Sequence, residues 1–202
     1  MMEQPGIWQR RAGGLVAACV LSVMGLAEAE EIVVYGFEGG LDGWVIPDWE
    51  KTSSDYVATQ IAVSQEYAEE GQASLKLQAD FPGGRWTGAY TEREVEVTDW
   101  GAFSQVAVSV YLPADAPAGL RGRIILTVGD QWRWTEMNQG VPLEPGRWTT
   151  IAANLKPGSM NWKFFPDDLF RKDVRKLGLR IESDKQPAYR GPVFVDHIRL
   201  GE

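Results

Sequence analysis

Apolar residues recur at every second position through much of the chain: Leu75, Leu77 and Ala79; Val106, Val108 and Val110; Ile124, Leu126 and Val128; Ile151, Ala153 and Leu155; Leu177, Leu179 and Ile181. A period of two places successive apolar side chains on one face of an extended backbone, so each run predicts a half-buried strand. The runs are punctuated by Gly39-Gly40, Glu70-Gly71, Pro82-Gly83-Gly84, Gly129-Asp130, Pro145-Gly146, Pro157-Gly158 and Gly191-Pro192, residues that supply turns. Nothing reads as a long amphipathic helix; the best candidate is a turn or two around Asp167 to Lys172, after Pro166. About ten short strands with no helical layer make an all-β fold, an antiparallel β-sandwich with jelly-roll wiring. With no internal repeat, low-complexity tract or linker, residues 30–202 form a single domain.

The first 29 residues read differently. A basic start at Arg10 and Arg11 leads into an apolar run from Ala12 to Leu26, closed by Ala27-Glu28-Ala29. That is the pattern of a signal peptide with a small-residue cleavage site, and it implies a secreted or periplasmic protein beginning at Glu30. The run is short for a membrane span. A lipoprotein reading would attach lipid at Cys19, which is the one route to a membrane, but the apolar run continues well past that residue. Cleavage at Ala29 removes Cys19, the single cysteine, and so removes disulfides and thiol chemistry.

Composition narrows the partners. Asp and Glu number 28 against 20 Lys and Arg, giving a formal charge of -8 and no basic surface for nucleic acid or anionic lipid. The single histidine, His197, sits beside Asp196 in a strand-like run at the chain end. It supports neither a Ser-His-Asp triad nor a multi-His zinc site, and reads as a packing residue. Two carboxylates could flank a glycosidic bond, but spacing in sequence does not give their separation. The Glu92, Glu94, Glu96 alternation reads as a solvated strand face, and no catalytic residue is assigned.

Three constellations remain. Trp132-Arg133-Trp134 places two indoles at strand spacing on one face of a sheet. A two-residue turn at Gly129-Asp130 would pair Thr127 with Trp132 and Ile125 with Trp134 and expose both rings, whereas a three-residue turn would bury them; the Gly-Asp pair favours the first. Trp44, Trp49, Trp86 and Trp162 follow Gly-rich or polar positions, where indoles could form a platform for pyranose rings. Arg123, Gln131, Arg180 and Glu182 would bond sugar hydroxyls, the last two from the non-core face of their strand. Finally, Glu38 near the start and Asp196 near the end could offer hard oxygen ligands to Ca²⁺, together with backbone carbonyls, if the terminal strands are neighbours.

The run VYLPADAPAGLRGRIILTVGDQWRW (110–134), with LEPGRWTTIAANL (143–155), LGLRI (177–181), GPVFVDHIRL (191–200) and FEGGLDGW (37–44), resembles the jelly-roll, galactose-binding-domain-like carbohydrate-binding modules of bacterial glycanases, nearest to the mannan-binding modules of endo-β-mannanases. The resemblance implies a non-catalytic monomer that grips a β-linked polysaccharide of β-mannan or β-glucan type on exposed tryptophans. By position these are Trp44, Trp86 and Trp132, with Trp134 added. It also implies a structural calcium between the first and last strands, at Glu38 and Asp196. Two alternatives stand beside it: an exported structural or protein-interaction sandwich using the aromatics as anchors, and a polysaccharide lyase or hydrolase on the same fold.

Overall fold

The computed structural model describes residues 31–164 and 167–201; the signal-peptide segment and Cys19 lie outside them. Eleven strands form two antiparallel sheets packed face to face. The first sheet runs in the order β2 (Ala58–Ser64), β3 (Ser74–Phe81), β11 (Tyr189–Gly201), β5 (Gln105–Leu112), β9 (Arg147–Asn154), with β1 (Glu31–Tyr35) also paired to β11. The second runs β4 (Trp86–Glu94), β10 (Val174–Asp184), β6 (Arg121–Val128), β7 (Arg133–Glu136), with β8 (Val141–Pro142) paired to β6. The jelly-roll sandwich anticipated from the alternation is the fold.

Every alternating apolar set named above faces the space between the sheets and is buried there. Leu177, Leu179 and Ile181 of β10 meet Leu75, Leu77 and Ala79 of β3 in that common core, so the odd positions of β10 point inward and Lys176, Gly178, Arg180 and Glu182 point outward. Burial of these aliphatic faces, at roughly 25 cal/mol per Å² of apolar surface, is the main stabilising term.

Two short helices interrupt the strands. The helix α2 (Asp168–Lys172) occupies the predicted place, capped by Asp167, whose carboxylate accepts the Phe170 N–H at 2.7 Å. The helix α1 (Asp48–Lys51) was not anticipated. It lies in an excursion of the chain along the open edge of β4: Val45 bridges Glu92 and Tyr56 bridges Gly88, and the chain between them bulges away.

The central strand β11 changes partner midway. Tyr189 to Val195 pair with β3, and Ile198 to Gly201 with β1, so the first and last strands are indeed neighbours. A bulge at His197, with φ of 47°, marks the switch and leaves Asp196 at the seam.

Candidate functional site

The outer face of the second sheet carries the densest set of functional side chains. Its register aligns Tyr90, Arg180 and Arg123 in one row, Glu92, Gly178, Ile125 and Glu136 in the next, and Lys176, Thr127 and Trp134 beyond. Two glycines in this face make room for large neighbours. A β-carbon on Gly178 would stand 2.3 Å from the Tyr90 hydroxyl oxygen, and one on Gly88 would stand 3.0 Å from Arg180 Cδ. Tyr90 and Arg180 therefore lie over bare backbone.

Above this floor runs a chain of aromatic contacts. Trp86 meets Tyr56 at 6.0 Å, Tyr56 meets Trp49 at 4.9 Å, and Trp49 meets Trp134 at 6.1 Å, all edge to face. Tyr90 lies against both Trp49 (5.4 Å) and Trp134 (5.2 Å). Trp49 is 42% exposed, and Trp86 and Trp134 are partly exposed. The indole N–H of Trp86 points to Glu182 at 3.5 Å and that of Trp134 to Glu136 at 3.4 Å.

Beside the rings lies a charge network. Glu182 accepts from Arg123 Nε at 2.5 Å and Arg180 at 3.0 Å; Glu136 accepts from Lys163 and is ion-paired with Arg180 at 2.8 Å. Burial pushes the Glu136 carboxyl up, but the Lys163 hydrogen bond and the charges of Arg180, Lys163 and Arg123 together hold it below its ordinary value. Glu92 accepts from Lys176 at 2.7 Å and from the Tyr90 hydroxyl at 2.8 Å. It is therefore buried and paired, where the Glu92, Glu94, Glu96 alternation suggested a solvated face. Glu92, Glu136 and Glu182 each have a basic partner, so the centre of this face presents many hydrogen-bonding groups with little uncompensated charge.

The structure thus brings together Trp86, Trp134, Arg123, Arg180 and Glu182 from the residues singled out in the sequence. Trp132 stands at one end of the same face, 48% exposed, with Arg175 and Lys176 over its ring at 5.6 and 5.8 Å. The turn before it is longer than expected. Val128 pairs with Arg133 and Thr127 with Trp134, so four residues, Gly129 to Trp132, form the loop, with Trp132 itself at φ 50°. The slip is two residues from the expected register, which preserves the face, and so Trp134 still points outward.

Trp44 corrects the sequence reading. It is 1% exposed, in edge contact with Tyr35 (6.1 Å) and Phe37 (6.3 Å) in the core, and cannot stack on a ligand. The Leu41-Asp42-Gly43 turn, with Asp42 and Gly43 at positive φ and the Trp44 N–H returning to Leu41 O at 2.8 Å, aims the indole inward. Gln131 is exposed in the β6–β7 loop, where it lines a depression with Phe164 and Leu169 and not the aromatic chain. His197 faces Glu69 and Glu70 on the other sheet.

Tyr56, Tyr90 and Glu136 were missed, and Trp49 was not assigned to the site. Two of these had a signal: Tyr90 continues the Glu92, Glu94 alternation backward, and Glu136 continues that of Trp132 and Trp134 forward. Trp49 and Tyr56 sit in the excursion, where no period exists to place them.

The two carboxylates proposed for calcium are both engaged by backbone amides. Asp196 Oδ2 accepts the Glu69 and Glu70 N–H groups at 2.8 and 3.2 Å, and Oδ1 accepts that of His197 at 2.7 Å. Glu38 Oε1 accepts the Gln72 and Ala73 N–H groups at 2.9 and 3.1 Å. Amide protons thus occupy both oxygens of Asp196 and one of Glu38, and no third acidic, histidine or cysteine side chain joins the two carboxylates among the described residues. The two carboxylates instead clamp the loop between β2 and β3 to the seam in the first sheet.

A family model described as mannanase, galactose-binding domain-like matches residues 35–197. The chain belongs to this family. The match takes in the aromatic face, the charge network and the clamp. A search of curated proteins returned no match. Among solved structures, the fold is similar to Caldicellulosiruptor saccharolyticus CBM27-1 in complex with mannohexaose, with TM-score 0.58, 17% identity, 86% of this chain and 97% of that chain. It is also similar to CBM28, a non-crystalline cellulose specific carbohydrate-binding module, with TM-score 0.61, 18% identity, 86% and 95% coverage. A third likeness is to the family 11 carbohydrate-binding module of a Clostridium thermocellum cellulosomal cellulase, with TM-score 0.55, 13% identity, 87% and 97% coverage. At these identities the likeness is one of fold.

Proposed function

We propose that the protein is an exported, non-catalytic glycan-binding protein, and that a neutral β-linked polysaccharide of β-mannan or β-glucan type lies along the outer face of the second sheet. The observation that carries this is the aromatic chain Trp86, Tyr56, Trp49 and Trp134 beside a charge-balanced network. Pyranose rings present apolar C–H faces that suit partly exposed indoles, and their hydroxyls need donors and acceptors at the rim. Arg123, Arg180, Glu136 and Glu182 provide both without favouring an ionic ligand. Between Lys176, beside Trp132, and Asp184, paired with Trp86, β10 spans roughly 26 Å at about 3.3 Å per residue. That length suits several sugar units in a row. Family membership and the mannan- and glucan-binding modules of similar fold support the same ligand class.

Binding without chemistry is the better reading of the site. A glycosidase needs one accessible carboxylic acid and one free carboxylate across the bond. Here Glu92, Glu136 and Glu182 are all engaged by Arg or Lys, and Glu50, though raised in pKa, is 1% exposed.

Because each sugar hydroxyl must regain the bonds it had with water, net affinity is modest, about -4 to -8 kcal/mol or millimolar to micromolar, and improves with chain length until the face is filled. Affinity electrophoresis through gels of glucomannan, galactomannan, mixed-linkage β-glucan, xylan and alginate tests the proposal. Retardation in the mannans or β-glucan supports it. Free passage through every gel rejects it, and release of reducing ends or unsaturated products would return the protein to the enzymes.

A further inference from the structure

The four-residue helix α1 carries Trp49, the most exposed ring of the aromatic chain, yet a helix this short has no stability of its own. Pro47, the residue that precedes it, offers no side-chain cap, and its Asp48–Lys51 pair is exposed. What fixes it is Glu50. Along the open edge of β4, the Gly88 N–H donates to Asp55 O at 2.9 Å and the Glu92 N–H to Val45 O at 3.0 Å. Between them the chain bulges out, and the Tyr90 N–H has no strand to meet. Glu50 Oε1 takes that place, accepting the Tyr90 N–H at 3.1 Å and, from the start of β2, the Ala58 N–H at 3.3 Å.

We propose that Glu50 is the positioning residue of the aromatic face: by closing the gap in the β4 edge it fixes α1, holds Trp49 over Tyr90 and Trp134, and so keeps the ligand surface in its binding shape. This rests on the reading of that face as the glycan site. Glu50 reaches no ligand itself, being 1% exposed with its Oε2 buried and without a partner among the described residues.

The carboxyl carries a signature of this burial. Desolvation pushes it up to about 7, against the two N–H bonds, with a further rise from Glu92. The other titratable and charged groups around it are Tyr90 on β4, Tyr56 in the excursion, Lys51 on α1, Asp80 on β3 and Arg85 just before β4, while Glu92 is itself paired with Lys176. Releasing the excursion would return Glu50 to water and to its ordinary value of 4.5. The closed form therefore holds its proton more tightly than the open form, and release becomes easier as pH rises through about 7.

The test uses the full chain as wild type, Glu50→Ala, Glu50→Gln and Trp49→Ala, with mannohexaose and cellohexaose titrated by calorimetry from about pH 6 to about pH 8.5, and the indole N–H signals of the free proteins recorded by NMR. Glu50→Ala is expected to move the Trp49 signal and to weaken binding about tenfold, close to Trp49→Ala. Glu50→Gln, which mimics the protonated acid, is expected to bind like wild type near pH 6 and to stay flat where wild type weakens with rising pH. A folded Glu50→Ala with an unmoved Trp49 signal, or with wild-type affinity while Trp49→Ala loses it, overturns the proposal. Should Glu50→Ala fail to fold, a Glu50→Gln profile that follows wild type overturns it equally. If wild type binds neither sugar, the glycan reading fails while the Trp49 signal still decides what Glu50 does.

Discussion

The Tyr90 ring fills the space that a side chain at Gly178 would need: a β-carbon there would stand 2.5 Å from Tyr90 Cε2 and 2.6 Å from Cζ. Tyr90 in turn underlies both Trp49 and Trp134. Adding one methyl at residue 178 must lift the tyrosine and, through it, two rings of the proposed platform. Gly178→Ala is expected to cost about 1–3 kcal/mol of stability through overpacking and to weaken glycan binding in the folded protein. Denaturant melts with calorimetric titration check this; unchanged affinity in a destabilised variant would separate Tyr90 from the ligand surface.

The tryptophans divide into two groups with opposite readouts. Trp44→Ala opens a cavity in the core and is expected to cost about 3–5 kcal/mol without a specific effect on affinity. Trp49→Ala, Trp86→Ala and Trp134→Ala are expected to lower affinity by about tenfold or more each while leaving the melt within a few degrees of wild type. Trp132→Ala, at the end of the face, should weaken long oligosaccharides more than short ones. A Trp86→Ala protein with intact binding would remove that end of the platform.

How far the sequence reached depends on where a period exists. Strand faces follow from alternation, so the core sets, the outward Arg180 and Glu182, and the outward Trp134 were all legible, the last even though its turn was two residues longer than expected. Side chains outside regular strands were not. Trp44 followed a Gly-rich turn that equally suited exposure, and only the positive φ of Asp42 and Gly43 aims it inward. Trp49 gains its place from Glu50, a residue whose partner at Tyr90 is 40 positions away. Glu38 and Asp196 were rightly brought near the paired terminal strands, but their backbone partners in the β2–β3 loop have no sequence pattern.

Arg180 sits between Glu136 and Glu182 with its side chain nearly buried, and Arg180→Ala would leave both acids facing one another with less compensation. The expected loss is about 3–5 kcal/mol, as for a broken buried pair. The network also sets an acid limit. Glu136 is held below its ordinary value, so the folded chain binds fewer protons than the unfolded one there; the stability this provides is present above the ordinary carboxylate range and lost as pH falls through it. Glu136→Gln is expected to flatten that part of the acid limb in a pH series of denaturant melts. A series parallel to wild type would show that the network does not govern acid unfolding.

The clamp offers a way to hold this seam without calcium. With Asp196 and Glu38 committed to five backbone N–H groups of the chain itself, chelator is expected to leave the melting temperature unchanged and added calcium to raise it no further. Asp196→Ala removes the acceptor of three of those amides. It is expected to cost about 3 kcal/mol, or roughly 6–12 °C in a domain of this size, equally with and without calcium. Burial outweighs these bonds and raises the Asp196 carboxyl, so protonation in mild acid should not open the clamp abruptly. A melt that falls with chelator in wild type and no longer responds in Asp196→Ala would restore a cation to this seam, because only a bound ion links the chelator to that residue.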